Sequence, residues 1–342
     1  MMHFASDNTA PVPPQILAAL ARANQGYAMG YGNDPLTLRV QSRIRDLFEA
    51  PEAAVHLVST GTAANSLALA LSCPPWGAVF CEADAHVQMD ECGAPEFFTG
   101  GAKLVGIRGD HGRMTPDALA DALARTGGSV HGVQPGALSL TNVTEAGTVY
   151  SPDAIAALTT LARARGMACH LDGARFANAI VATGATPAQM TWKAGIDVVS
   201  FGGTKNGLMG VEAVVVFDKA RAWELELRRK RAGHLASKMR YLAAQMDGWL
   251  DDGLWLHLAR QANAMGGRLA AGFANHARPL HPVEANIIFA AWPEGTHARL
   301  KAAGAVYYPW AAPAPGEEAA RLVTSWSTTD ADVDGFLAAL AG

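Results

Sequence analysis

The sequence predicts an α/β protein: a mainly parallel central sheet with helices on both faces, followed by a smaller α+β unit. Three observations carry that expectation. Short apolar, β-branched runs alternate with alanine-rich segments of helical spacing, helix-start signals fall between them, and the runs become fewer in the last third of the chain.

Taken in order, residues 1–15 are rich in Pro and Asn and read as an extended arm. Strands are expected at 55–58, 78–80, 103–107, 137–140, 167–171, 197–201 and 211–217, each an apolar run bounded by turn residues. Thr115-Pro116-Asp117 and Ser151-Pro152-Asp153 each set a capping hydroxyl before a proline suited to a first helical turn. The segment "RAWELELRRKR" opens a helical stretch expected to run to about residue 275, and shorter strands follow at 286–291 and 321–326. The expected division is an arm at 1–15, a large domain at 16–245 and a small one at 246–342.

With half of its 342 residues hydrophobic and 17% charged, the chain can bury a sizeable core. Its net charge of −4, acids and bases interspersed, offers no basic footprint for nucleic acid and no cationic amphipathic helix for a membrane. The expected partners are small molecules and copies of the chain itself. The start, "MMHFASDNTAPVPP", lacks the basic and apolar regions of a signal peptide, so the cytoplasm is expected. Four cysteines show neither CxxC nor zinc spacing; they read as free thiols, and no metal is expected.

Five polar clusters follow predicted strands: "STGTAAN" 59–65, "EADAH" 82–86, "TNVTE" 141–145, "DGAR" 172–175 and "GGTKNG" 202–207. Ligands bind outside the carboxyl ends of strands in open α/β sheets, so these clusters are expected to converge. In the first, Gly61 and Thr62 open a helix and suit a phosphate, although an ordinary βα turn capped by Thr60 or Thr62 would read the same way. GxxxxGK[ST] and GxGxxG are both absent, which disfavours nucleotide triphosphates and dinucleotides. Asp172 directly follows a buried strand and needs a cation, supplied by Arg175 or by a protonated cofactor ring nitrogen. Lys205 lies in a glycine-rich turn between two core strands, where a lysine is suited to a Schiff base with pyridoxal phosphate rather than to a surface turn.

Ser6-Asp7, "GYGNDP" 30–35, "STGTAAN", "ADAH" 83–86, "LDGAR" and "SFGGTKNG", in this order, resemble the low-specificity L-threonine aldolases, which have the aspartate-aminotransferase fold of fold type I PLP enzymes. "SFGGTKNG" looks like the phenylserine aldolase-like branch. The resemblance implies PLP-dependent cleavage of β-hydroxy-α-amino acids to glycine and an aldehyde, in a homotetramer built from dimers. It assigns Lys205 to the Schiff base, Thr204 with Gly61 and Thr62 to the phosphate, Asp172 to the ring nitrogen and His86 to stacking on the ring. Ser6, Arg175 and Arg321 correspond to groups gripping the substrate carboxylate, and Arg175 also stands among the cofactor contacts. Tyr31 and Asp34 are expected near a neighbouring subunit's site, with Tyr31 touching substrate, and Lys230 and Arg240 are candidates for reaching phosphate across the dimer.

One departure concerns the base. Where many family members carry a histidine in an "ENTH"-like segment, this chain reads "LTNVTEAGT", offering Asn142, Thr144 and Glu145. His86 is the first candidate to take the substrate hydroxyl proton, with Glu91 or Glu145 acting through water as the second. The same elements would also serve an aminotransferase, a β-eliminating lyase or a non-catalytic PLP-binding protein.

Overall fold

In the computed structural model, which describes residues 2–342, the seven apolar runs become the strands of one sheet. After a two-residue strand Met2–His3 (β1), they are Ala54–Val58 (β2), Gly77–Glu82 (β3), Lys103–Ile107 (β4), Gln134–Thr141 (β5), Ala168–Gly173 (β6), Val198–Gly202 (β7) and Glu212–Val216 (β8). Their spatial order is β2-β8-β7-β6-β5-β3-β4. Strands β3 to β7 pair in parallel, whereas β8 runs antiparallel between β2 and β7. The first residue of β8 therefore meets the last residues of its two neighbours: Glu212 is registered against Val58 and against Gly202.

Strands β7 and β8 are buried throughout, as expected where helices cover both faces. The large core is anchored by aromatic rings. Phe201 lies 5.3 Å from Phe48 and 5.2 Å from Trp249, and Trp249 lies 5.9 Å from Trp255; such pairs contribute about 0.5–1.5 kcal/mol beyond their buried area. Thr115 and Ser151 cap their helices as expected, accepting from the N–H groups of Ala118 and Ala154.

The C-terminal part holds a four-stranded antiparallel sheet built from Arg278–Pro279 (β9), Ile287–Pro293 (β10), Tyr308–Trp310 (β12) and Glu317–Val323 (β13), in the order β12-β13-β10-β9. Between them, Ala305–Val306 (β11) pairs in parallel with β1.

Four expectations change. The helical stretch from 221 to 275 is three helices, Ala222–Arg231, Arg240–Leu250 and Leu254–Ala271, broken where Gly233, Asp252 and Gly253 adopt left-handed backbone at φ 79°, 48° and 69°. The last strand ends at Val323 rather than 326, because the hydroxyl of Thr324 bonds the Ala262 carbonyl and that of Thr328 takes the Ser325 N–H. Residues 2–9 do not form an open arm, since Met2 and His3 add a strand pair and Phe4 is fully buried 5.2 Å from Phe336. Residue 246 marks no break between cores: Met246 and Trp249 pack in the large core, and the helix Leu254–Ala271 carries Leu258 in that core and Leu269 in the small one.

Candidate active site

At the carboxyl edge of the large sheet lies a cavity of about 270 Å³. It collects Ser59, Thr60, Gly61 and Thr62 after β2, His86 after β3, Asp172 at the end of β6, Thr204 and Lys205 after β7, and Glu212 at the start of β8. Residues 146 positions apart thus share one space because parallel strands end together.

The turn that carries Lys205 is fixed on every side. A Cβ on Gly202 would come within 2.7 Å of the Ala174 backbone, and one on Gly203 within 2.5 Å of Leu208, so the chain passes where only glycine fits. Next to the lysine, Asn206 donates to the Trp255 carbonyl at 2.7 Å and receives the Trp249 indole N–H on its own carbonyl at 3.0 Å. Beyond it the Gln245 side-chain oxygen accepts the N–H groups of both Met209 and Gly210. Lys205 itself forms no hydrogen bond or ion pair among the described residues, so its Nζ faces the cavity uncommitted.

The helix Gly61–Ser72 points its N-terminus at the same space. Thr60 caps it through Ala63 N–H, and an added Cβ on Gly61 would meet nothing within 4 Å. Free N–H groups and the positive end of the helix dipole make this an anion cradle. The buried hydroxyl of Thr204, set beside the Glu212 carboxyl, completes it.

Asp172 is 2% exposed, and Arg175 does not neutralise it. Its Oδ1 accepts Ala174 N–H at 3.0 Å and its Oδ2 accepts the Asn65 amide at 3.0 Å; among the described residues no cation bridges it. A buried carboxylate in that condition calls for a cationic ligand group. Asn65 uses the same nitrogen to donate to Glu91 Oε1 at 2.8 Å, and that oxygen also lies 2.9 Å from His86 Nδ1. Because Glu91 Oε1 acts as acceptor here, His86 carries its hydrogen on Nδ1 and leaves Nε2 as the acceptor. The Glu91 contact holds the pKa of His86 above the ordinary histidine value, while burial pushes the Glu91 carboxyl up.

The two arginines differ. Arg175 and Asp7 form a bidentate pair, Nε to Oδ2 at 2.7 Å and Nη2 to Oδ1 at 3.0 Å, so two of the donors expected to grip substrate are already engaged. Arg321, in β13 between Phe289 and Tyr308, makes no ion pair or hydrogen bond among the described residues. Burial and the nearby charge of Arg175 lower its pKa, and Glu145 and Asp7 act in the opposite sense. It is the cation with an open fork.

Other sequence-derived candidates lie elsewhere. Ser6 caps a short turn, accepting Asn8 N–H at 3.2 Å, and Asn8 rather than Ser6 lines the cavity. Tyr31 is half exposed, with Lys230 Nζ 5.0 Å from its ring, and is not brought into the cavity by its own chain. The buried carboxylate of Asp34 caps a helix through the N–H and hydroxyl of Thr37, and Arg240 donates to the Gly26 carbonyl. Of "TNVTE", Asn142 and Thr144 bond within their own loop, while Glu145 acts electrostatically on His86, Arg175 and Arg321.

Sequence reading missed Asn65 and Glu212. Glu212 is a lone polar residue in the apolar run "VEAVVVF", and its isolation was the available signal; Asn65 closes the polar cluster "STGTAAN", where only the Gly61-Thr62 turn drew notice.

The fold, with its lysine turn after β7, defines the class first. A serine palmitoyltransferase solved with its PLP internal aldimine superposes with a TM-score of 0.72 at 16% identity, over 99% of this chain and 86% of that one; the architecture is fold type I of the PLP enzymes. The beta-eliminating lyase family matches residues 3–292. The low specificity L-threonine aldolase of Pseudomonas sp. (strain NCIMB 10558) is 42% identical over 333 residues, which are 96% of this chain and 94% of that protein. A threonine aldolase from Leishmania major matches with a TM-score of 0.94 at 29% identity, over 100% of this chain and 99% of that one. The chain belongs to the beta-eliminating lyase family and, within it, to the low-specificity L-threonine aldolases.

Proposed function

We propose that this chain is a PLP-dependent aldolase that cleaves L-threonine, L-allo-threonine and related β-hydroxy-α-amino acids such as phenylserine to glycine and an aldehyde. The observation that carries the reading is Asp172: a buried carboxylate without a cation, in one cavity with an uncommitted lysine and an anion cradle. Those residues fit pyridoxal phosphate, because the helix N-terminus at Gly61-Thr62 and the Thr204 hydroxyl suit a phosphate, and the buried Asp172 carboxylate suits a protonated ring nitrogen. When bound, the cofactor supplies an electron sink for the carbanion left as Cα–Cβ breaks.

The chain's own residues do the rest. Lys205 would hold the cofactor through Nζ, and the Asp172 carboxylate would favour a proton on its ring nitrogen. Gly61, Thr62 and Thr204 fix the phosphate. Arg321 grips the substrate carboxylate with its open fork, beside Arg175, which has given two of its five N–H donors to Asp7. His86 would border the cofactor and accept the β-hydroxyl proton at Nε2, while Glu91 holds its Nδ1–H; a base positioned in this way typically contributes ~10²–10⁴-fold.

The site belongs to a homo-oligomer, a dimer or a tetramer built from two dimers. Tyr27, Met29, Tyr31 and Leu38 form an exposed apolar stretch that a second copy would cover, which would carry Tyr31 towards a neighbouring site. Among the described residues no helix is long and apolar enough to cross a membrane, and the proposed location is the cytoplasm.

The test is incubation of the PLP-loaded protein with L-threonine, L-allo-threonine and phenylserine, with glycine and aldehyde measured beside keto acid and ammonia. Stoichiometric glycine and aldehyde are expected. Keto acid alone would identify an aminotransferase or an eliminating lyase, and an unchanged absorbance spectrum with every substrate would identify a non-catalytic binder.

A further inference from the structure

Glu212 stands where a carboxylate is least expected. It opens a strand that is otherwise apolar, it is 5% exposed, and its register against Val58 and Gly202 sets it between the two turns, 59–62 and 203–205, that form the anion cradle. Its Oε2 accepts Gly203 N–H at 2.6 Å, the hydroxyl and backbone N–H of Thr204 lie against the carboxyl, and it lines the same cavity as Gly61 and Thr62. Lys205 is the charged group that acts on it. His86 and Asp172 are the other ionisable groups lining the cavity, and His234 touches the Ser59 hydroxyl, Nδ1 to Oγ at 3.2 Å.

A carboxylate and a phosphate in one dry cradle repel each other, and two like charges in a shared site force one to take up a proton. A neutral carboxyl removes the conflict. It keeps one oxygen for Gly203 N–H and presents an O–H donor to an anion. Building on the reading of the cavity as a pyridoxal phosphate site, we infer that Glu212 is a positioning residue of the phosphate cradle, and that phosphate binding is coupled to uptake of one solvent proton by its carboxylate. The balance is a carboxylate and a proton giving a carboxylic acid, with no other bond made or broken. Burial pushes this carboxyl up to about 7, which places the required proton within reach near neutrality.

The experiment measures the equilibrium dissociation of pyridoxal phosphate from holoenzyme in dilution series between pH 6.5 and 9, followed by visible absorbance, for wild type, Glu212→Gln and Glu212→Ala. Glutamine reproduces the neutral acid, one oxygen for Gly203 and a donor for the phosphate, at every pH. Titration of the free cofactor affects all three proteins alike, so the ratio of variant to wild-type affinity reports the side chain at position 212. That ratio is expected to rise on the order of tenfold per pH unit above about pH 7 for Gln. The Ala variant should show the same slope from a weaker starting point, because Gly203 loses its acceptor. Ratios independent of pH in both variants, with wild type binding cofactor normally, would overturn the inference while leaving the proposed function intact. Absence of a cofactor band in wild type at any pH would bring down both.

Discussion

Arg175 and Asp7 face each other 168 residues apart in sequence, and their side chains, 2% and 1% exposed, close a two-point ion pair beside the candidate site. Asp7 also accepts the Asn286 amide at 3.1 Å, so one carboxylate ties the chain start to the ends of β6 and β10. Burial raises its pKa, but the Arg175 guanidinium outweighs burial and holds the carboxyl below the usual range. Removing one partner of such a pair leaves an uncompensated charge. Asp7→Ala should cost about 3–5 kcal/mol in denaturant unfolding; a loss below about 1 kcal/mol would show that solvent or substrate-side groups take over the guanidinium.

Arg321 is the contrasting case, since its fork is open. Arg321→Lys keeps a charge and loses the planar two-point geometry, so substrate affinity should fall by about 2–5 kcal/mol. Transamination should gain relative to aldol cleavage while cofactor occupancy stays unchanged. Measuring both products on L-threonine decides: unchanged affinity and partition would reduce Arg321 to a strand residue.

For Lys205 the expected loss is nearly complete. Lys205→Ala should abolish turnover and shift the cofactor band to that of non-covalently held pyridoxal phosphate. The fold should survive, because Asn206, Gln245 and the glycines continue to hold the turn. Wild-type turnover in the variant would end the assignment.

Glu91 predicts a pH effect with a definite sign. It raises the pKa of His86, so the acid limb of the rate profile, below which His86 is protonated and cannot act as base, lies higher than an isolated histidine would place it. Glu91→Gln weakens that charge, and the limb of kcat/KM should move to lower pH as the maximal rate falls. A limb that stays in place would assign the base elsewhere, with Glu145 next in line.

Glu212 carries a stability consequence of its own. Its folded carboxyl titrates near 7 against an ordinary 4.5, so between those values the native state binds the extra proton and stability falls as pH rises. Below 4.5 both states are protonated and nothing is lost. Above 7 the full penalty, about 3 kcal/mol, applies to the cofactor-free protein. Glu212→Gln should abolish this slope in urea unfolding at pH 4.5 to 8, and equal slopes in both proteins would count against a buried acid.

The parts of the site that could be read from the sequence are those where chemistry and strand end coincide. Lys205, Asp172 and Gly61-Thr62 each follow an apolar run directly, so the sheet alone brings them together. The engagement of Arg175 was hidden because its partner lies in a segment that composition marked as an arm. Glu212 was hidden because a single polar residue in an apolar strand looks like noise until its neighbours across the sheet are known, and Asn65 because which face of its helix meets Asp172 depends on the fold. Helix breaks at Asp252 and Gly253 escaped for a local reason, since periodicity continues across a left-handed residue.

The same N-terminal segment bears on folding. Phe4 is packed by Phe336, Met2 and His3 are paired with residues 305–306, and the Phe4 carbonyl accepts Val323 N–H at 2.8 Å. Asp7 is made before Arg175, and the segments that pack its neighbours, residues 305–306, 323 and 336, are made later still. Closing the Arg175–Asp7 pair therefore joins distant parts of the chain and is expected among the late, non-local steps of folding.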